Sequence, residues 1–374
     1  MGDAGSAGTG RRRMNLRRIL VIKLADIGDV LTASPAIRAL RRTFPDARID
    51  VLTTPAASAV ISRTMGIGVL TAPRNLVHGP GDVRGAADLF AALRRARYDA
   101  VVILHHLTLR SGAAKYRLLA AATGAAVIAG LDNGNGDWLT HAAPDAGFGA
   151  CHEVEHWLRV VGLLGAAATS ASMVAPLDQD DVGRAGSLLD GLGPQPWVAI
   201  HPGSGGYSMA RRWEPIRWAE LADALVDRYG AKIVLVGTPA DGAQKVEAAM
   251  TRRCRNLAGL TTLPELAAVL GECDLFLGAD SGVMHLATSV GAPVVALFGP
   301  SNHLAWGPWN PEEFNTVVVR LGLRCSPCSY VGHSVGQREG CWHRSCMAEL
   351  TVQHVLGAAA GFLEDYRLPG DEQP

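Results

Sequence analysis

Phe276-Leu277-Gly278-Ala279-Asp280-Ser281-Gly282-Val283-Met284-His285-Leu286-Ala287-Thr288 decides how the fold is read. The apolar run from Asp274 to Gly278 predicts a strand buried on both faces, as in a parallel sheet. It stops in a small-residue turn, Gly278 to Gly282, and a helix is expected from about Val283. That helix ends before Gly291-Ala292-Pro293, and Val294-Val295-Ala296-Leu297-Phe298 is a second buried strand closing on Gly299-Pro300. Strand, polar turn, helix and strand make a βαβ unit whose turn lies at the carboxyl end of the sheet. Backbone N–H groups and the helix dipole favour an anion there. Ser281 and Gly282 let a phosphate come close, and Asp280 and His285 add a carboxylate and an imidazole. The same residues also suit an ordinary βα turn with an N-cap and a core-facing histidine.

Outward from this unit, the chain of 374 residues exceeds one typical domain, which predicts two. A hydrophobic share of 48% against 19% charged excludes a disordered chain. Lys+Arg and Asp+Glu both number 35, so no global field draws the protein to nucleic acid or to a membrane. No apolar run reaches a spanning length and the start does not resemble a signal peptide, so a cytoplasmic protein is expected. Seven cysteines are too few for a disulfide scaffold.

Residues 1–16, rich in Gly, Ala and Arg, read as an unstructured tail. From 17 to 180, strands and helices alternate: Ile19-Leu20-Val21-Ile22, then a turn through Gly28-Asp29, then a helix with Pro35 in its first turn. A strand from Asp46, a helix from Ala86 to Arg97, strands Tyr98–Leu104 and Ala126–Gly130, and a helix opened by His152, Glu153, Glu155 and His156 follow. This alternation predicts a parallel sheet covered on both sides. His152 and His156 stand at i, i+4, a spacing a metal uses, but the H-E-x-x-H order is absent and a solvated helix start is the expectation. Composition shifts between Gly165 and Pro196, marking a domain boundary, and a second domain is expected over 190–350. There Trp197–His201 leads into Pro202-Gly203-Ser204-Gly205-Gly206, either a phosphate cradle or a tight loop, with Arg211-Arg212 downstream. Asp241, after the strand Lys232–Val236, is placed for a ribose hydroxyl by analogy with dinucleotide folds.

Taken together, Ile19 to Lys23, Ile27-Gly28-Asp29-Val30, Pro35-Ala36, His201-Pro202-Gly203-Ser204, Arg212-Trp213 with Trp218, Gly278 to Gly282 with His285-Leu286-Ala287, and Leu297-Phe298-Gly299-Pro300 resemble glycosyltransferase family 9, the ADP-heptose:lipopolysaccharide heptosyltransferases. The resemblance runs from Arg18 to about Leu363. It implies an α/β GT-B fold of two Rossmann-like domains facing across a cleft, with the nucleotide sugar held by the C-terminal domain. A C-terminal helix over 351–366 would pack back toward the first domain. The implied reaction is inverting transfer of heptose from ADP-heptose to a lipopolysaccharide inner-core or related glycan hydroxyl. A GT-B transferase using a UDP- or GDP-linked sugar on another acceptor is the alternative, and a non-catalytic sugar-binding protein is a third reading. The base falls on Asp29, which also suits a helix N-cap and has Asp26 close by. The lysine of other members falls on Arg211, and Arg212 competes for the inward role. Ser204, Ser281, Gly282 and His285 would line the diphosphate, with Asp280 on sugar hydroxyls and Asp241 also on the donor. Arg110 and Lys115, and the Arg38/Arg41/Arg42 face, are expected on the anionic acceptor or as a solvated basic surface. No cofactor is implied. Cys325, Cys328, Cys341 and Cys346, spaced C-x2-C, twelve residues, C-x4-C, match a small zinc knuckle or a set of free thiols. No nucleic acid partner is expected, and at most a peripheral contact with the inner face of the cytoplasmic membrane.

Overall fold

The alternating apolar runs become two six-stranded sheets with every neighbouring pair parallel. The computed structural model describes residues 14–61, 65–73, 76, 83–313 and 315–368. The expected tail therefore lies outside the described residues up to residue 13, while Met14 and Leu16 pack against the core.

The first half runs β1 Arg18–Ile22, α1 Ile27–Thr43, β2 Arg48–Thr53, β3 Gly68–Thr71, α2 Val83–Ala96, β4 Ala100–Ile103, α3 Arg110–Thr123, β5 Val127–Asp132, β6 His141–Pro144 and α4 Glu153–Gly162. Its sheet order is β3-β2-β1-β4-β5-β6. The second half runs α5 Gln179–Leu189, β7 Trp197–His201, α6 Pro215–Tyr229, β8 Lys232–Leu235, α7 Ala243–Ala249, β9 Cys254–Asn256, α8 Leu263–Gly271, β10 Leu275–Ala279, α9 Gly282–Ser289, β11 Val294–Leu297, α10 His303–Trp306 and β12 Thr316–Val319. A hairpin of β13 Ser329–Val331 and β14 Ser334–Gly336, then α11 Ser345–Ala348 and α12 Val352–Leu363, complete the chain. The second sheet is ordered β12-β11-β10-β7-β8-β9, so both sheets follow the same doubly wound plan. Among the described residues no helix is long and apolar enough to cross a membrane.

Three expectations change. Helix α1 begins at Ile27, so Pro35 lies inside it rather than in its first turn. Proline removes the N–H that Leu31 O would accept, and the buried Ser34 hydroxyl donates to that carbonyl instead, at 2.6 Å. Helix α5, placed by composition in the boundary region, packs on α8 and belongs to the second layer; what separates the halves is the irregular segment before it. Helix α12 packs on α6, β11 and β12, within the C-terminal layer and not back on the first domain. Its Val355, Leu356, Ala359 and Leu363 close over Trp213 and Trp218, and Trp213 Nε1 donates to Leu350 O at 2.9 Å where the helix approaches. Burial of that apolar stripe decides the docking.

The sheets meet through α1 and α9. Val30, Leu31 and Ile37 share one continuous core with Met284, Leu286 and Ala287. At its amino end this contact is backbone on backbone: a Cβ built on Gly28 would lie 2.6 Å from His285 Cδ2 and 3.3 Å from Gly282 Cα. Gly28→Ala should therefore cost about 1–3 kcal/mol by overpacking. Urea unfolding measures it, and an unchanged midpoint would mean that the contact is looser than described.

Candidate active site

In an open doubly wound sheet, the crevice lies beyond the carboxyl ends of the two central strands whose connections leave in opposite directions. Those pairs are β1/β4 and β7/β10. Their four strand ends carry Lys23, His105-His106, His201 and Asp280-Ser281.

On the first side, Asp29 stands in the opening turn of α1, where the helix dipole favours a carboxylate. It is not the N-cap; Asp26 holds that position. Lys23 Nζ lies 3.6 Å from Asp29 Oδ1, and 32% of the Asp29 side chain remains exposed while Lys23 is buried. The ammonium sits 4.0 Å from the Trp157 ring centroid, so an aromatic face replaces water beneath it. Asp29 thus pairs a fixed cation on one side and solvent access on the other. Behind it, His106 is clamped between Asp145, with Nδ1 2.9 Å from both oxygens, and Glu153, with Nε2 3.1 Å from Oε1. Burial alone would lower its pKa, but the two carboxylates raise it to about 9.

On the second side, Arg211 settles which of the two arginines turns inward. Its Nη1 donates to Asp280 Oδ2 at 2.9 Å and its Nη2 to Ser204 O at 3.1 Å. Its buried Nε has no protein partner. Arg212 instead binds Ala240 O and Ser204 Oγ and pairs with Asp241. Ser281 caps α9, its Oγ accepting from Met284 N at 3.3 Å, and stands 3.2 Å from His201 Nδ1. Ser204 Oγ donates to Ser208 O at 2.8 Å, so this hydroxyl shapes its own loop. Asp241, expected on a ribose, is occupied within the protein. Its Oδ2 accepts the Thr238 N–H and hydroxyl at 2.8 and 2.7 Å and lies 3.4 Å from His201 Nε2. Burial pushes its carboxyl up, but His201 and Thr238 outweigh that and hold it well below the usual carboxylate range.

The halves converge at His285, fully buried against Gly28, with an unpartnered Nδ1. Burial lowers its pKa, against the opposing pull of Asp280 and Asp29, and keeps the imidazole neutral. A second bridge spans the cleft where the β13–β14 hairpin reaches the first layer: Phe148 N donates to Gly332 O at 2.8 Å and Gly332 N to Phe148 O at 3.2 Å. Tyr330 on that hairpin packs on Phe148, Trp306 and Tyr207 at 5.2, 4.6 and 5.6 Å between centroids. Burial, the neighbouring Tyr207 and the charge of Asp29 all raise its phenol, which stays protonated.

Asp29, Arg211, Asp280, Ser281 and Gly282 thus gather around His285 where the halves meet. Arg110 and Lys115 open α3 beyond β4; Lys115 is half-buried over Tyr116 and its pKa is lowered by burial, whereas Arg110 is exposed. The Arg38/Arg41/Arg42 face is tied down within the protein rather than free: Arg38 donates to Ser170 O and Ser172 O at 2.9 Å, Arg41 to Phe44 O and Pro45 O, and Arg42, which stays exposed, to Thr169. His152 and His156 are buried rather than a solvated helix start. His152 Nε2 meets Gly307 O at 3.0 Å and its ring stacks on Trp309, joining the layers. Cys325 and Cys328 lie in the loop that folds over Gly299-Pro300, held by Ser326 Oγ on Gly299 O and Cys328 N on Pro300 O, while Cys341 follows the hairpin and Cys346 stands in α11. Among the described residues, no three of their sulfurs come within 4.8 Å of one another. Sequence reasoning gave the motif residues Lys23 and His201 no role of their own and missed Trp157 and Tyr330. Lys23 and His201 carried a signal, each being a charged or titratable group directly at a buried strand end; Trp157 and Tyr330 carried none.

The family model described as "Glycosyltransferase family 9 (heptosyltransferase)" matches residues 86–337. Lipopolysaccharide heptosyltransferase 3 of Escherichia coli K12 is 30% identical over 291 residues, 75% of this chain and 82% of the relative. Lipopolysaccharide heptosyltransferase 2 of the same strain is 26% identical, over 76% and 83%. Among solved structures, a family 9 glycosyl transferase from Veillonella parvula DSM 2008 superposes with a TM-score of 0.70 at 23% identity, over 93% of this chain and 97% of the other. E. coli ADP-heptose lps heptosyltransferase II gives 0.68 at 23%, over 93% and 99%. At those identities the structures establish the two-domain GT-B fold.

Asp241→Asn tests the inner carboxylate. Its depressed pKa contributes stability that is present above the unfolded value, about 4, and is lost as pH falls toward the folded one. The variant should be about 1–3 kcal/mol less stable at neutral pH. The gap should narrow below about pH 4. Denaturant midpoints across that range decide, and a gap independent of pH would contradict the reading.

Proposed function

The chain belongs to glycosyltransferase family 9, and from that premise we propose that it moves a heptose, with inversion, from ADP-heptose to a hydroxyl of a lipopolysaccharide inner-core glycan. The observation that carries this is the meeting of a solvent-accessible carboxylate, Asp29, with the Arg211, Asp280-Ser281-Gly282 and His285 group across the Gly28–Gly282 contact. Heptose and a lipopolysaccharide acceptor follow the name of the E. coli relative at 30% identity, and ADP as the carrier follows the family resemblance of the sequence.

In-line displacement at the anomeric carbon needs a base on the acceptor hydroxyl and stabilisation of the departing diphosphate. Asp29 takes the hydroxyl proton. Lys23 beside it, on the Trp157 face, orients the carboxylate and balances its charge before the proton arrives. Arg211 receives the diphosphate through its orphaned Nε–H while Nη1 and Nη2 stay fixed on Asp280 and Ser204. A guanidinium held in place loses little reorganisation energy as leaving-group charge develops. The amino end of α9 and the neutral His285 add donors to the same anion. Asp280, anchored on Arg211, is left for sugar hydroxyls. This assignment uses side chains and backbone donors for leaving-group charge and requires no cofactor. Lys115 and Arg110, beyond β4, are the proposed acceptor contacts. A soluble nucleotide sugar and a glycan built on a membrane lipid call for a cytoplasmic enzyme at the inner membrane face.

Separately, zinc on Cys325, Cys328, Cys341 and Cys346 is proposed from their spacing, as a clamp on the loop over Gly299-Pro300.

Asp29→Asn should lower kcat by about 10²–10⁴-fold. Calorimetry on that variant should show nucleotide binding unchanged; retained turnover would remove Asp29 from the role. ADP should bind the wild type more tightly than UDP or GDP, and Arg211→Ala should weaken it more than Arg212→Ala; the reverse base preference would discard the donor. For the thiols, Cys325→Ser with Cys328→Ser should cost about one zinc per chain and lower Tm. Elemental analysis showing equal zinc in both proteins would dismiss that site.

A further inference from the structure

The first turn of α4 holds a Glu-x-x-His pair, Glu153 and His156, whose i, i+3 spacing sets both side chains on one helix face. They meet His106 from the end of β4. The ligand atoms of His106, Glu153 and His156 all lie within 4.8 Å of one another, and all three residues are buried. His156 is 0% exposed and neither of its ring nitrogens has a partner. Leaving a buried donor or acceptor unsatisfied costs about 1–3 kcal/mol, so this histidine demands an explanation that the protein atoms do not supply. Around it lie two buried carboxylates, Asp145 and Glu153, both in direct contact with His106.

We propose that His106, Glu153 and His156 form a binding site for a divalent late transition-metal ion, with Asp145 as the outer partner that fixes His106. The ion takes His106 Nε2, one Glu153 oxygen and a His156 nitrogen, and Nδ1–H of His106 stays on Asp145. A carboxylate holding the far nitrogen of a ligating histidine is the usual way such a ligand is oriented. Two imidazoles and one carboxylate select zinc or a neighbouring first-row ion over magnesium or calcium. Asp145 is itself fixed by Asn133 Nδ2 at 3.2 Å and Gly147 N at 2.8 Å, so the outer shell is already built. The His106 ring lies 5.5 Å from that of Trp157, the platform under Lys23, so the ion would brace the wall behind Asp29 without touching the reacting atoms.

The test is cobalt titration of the full chain after chelation, in the Cys325→Ser/Cys328→Ser/Cys341→Ser/Cys346→Ser background that removes the four clustered thiols. Visible d–d bands without near-ultraviolet thiolate charge transfer are expected, saturating at about one ion per chain. His156→Ala and Glu153→Gln should each weaken cobalt binding by at least about tenfold with unchanged circular dichroism. Should His156→Ala fail to fold, Glu153→Gln, which keeps the side-chain shape, decides alone. Should the protein with all four cysteines replaced fail to fold, the wild-type-minus-Glu153→Gln difference spectrum reads the same ion. No cobalt bands in the folded serine background, or bands indifferent to Glu153→Gln, would overturn the site and leave an ordered water as the partner of His156.

Discussion

The contact between Gly28 and Gly282 is the constraint on which the remaining architecture rests. Two sheets with the same strand order present their switch points to each other, and the helices leaving those points, α1 and α9, touch at their amino ends. Side chains longer than hydrogen would push them apart, since a Cβ on Gly282 would stand 3.2 Å from Gly28 N. Because both helices point their positive ends into the cleft, the backbone favours anions from either side. The opening turn of α1 holds an anion of its own, Asp29, while the opening turn of α9 holds no acidic residue.

Charge is distributed accordingly. Each half carries an opposed pair at its strand end, Lys23 with Asp29 and Arg211 with Asp280, at 3.6 and 2.9 Å. The looser pair keeps its carboxylate accessible, which suits a group that must accept a proton. The tighter pair is largely buried and holds a guanidinium still, which suits a group that must meet developing negative charge. His285 between them is kept neutral by burial, so it adds a dipole without adding a charge. The hairpin carrying Tyr330, whose phenol feels both Asp29 and Arg211, and the stack of His152 on Trp309 also join the layers.

Much of this was legible in order along the chain. Continuous buried runs such as Leu275–Ala279 announce parallel strands because both faces are covered, and the small-residue turn after each one announces the cleft. Ser281, Gly282 and His285 could be read because they sit within six residues of such a strand end, whereas Asp29 and Arg211 were reached through the family resemblance. The misreadings share a cause. Pro35, Asp241 and Arg38 were judged by local rules, and each was decided by a distant partner or an unexpected neighbour: a serine hydroxyl, a histidine from another strand, carbonyls of the interdomain segment. His156 was paired in sequence with His152, but the fold turns His152 to Gly307 and gives His156 to Glu153 and His106.

By itself, then, the sequence determined the class of fold, the positions of both switch points and the residue types that stand there, because hydrophobic period and turn chemistry are local. Which side chain faces which was decided by the tertiary structure. Lys23 needs Trp157 beneath it, Arg211 needs Asp280, and helix α12 needs Trp213 and Trp218, and those partners lie tens to more than a hundred residues away. Burial sets such pairings through desolvation and packing, terms that exist only once remote segments have been brought together.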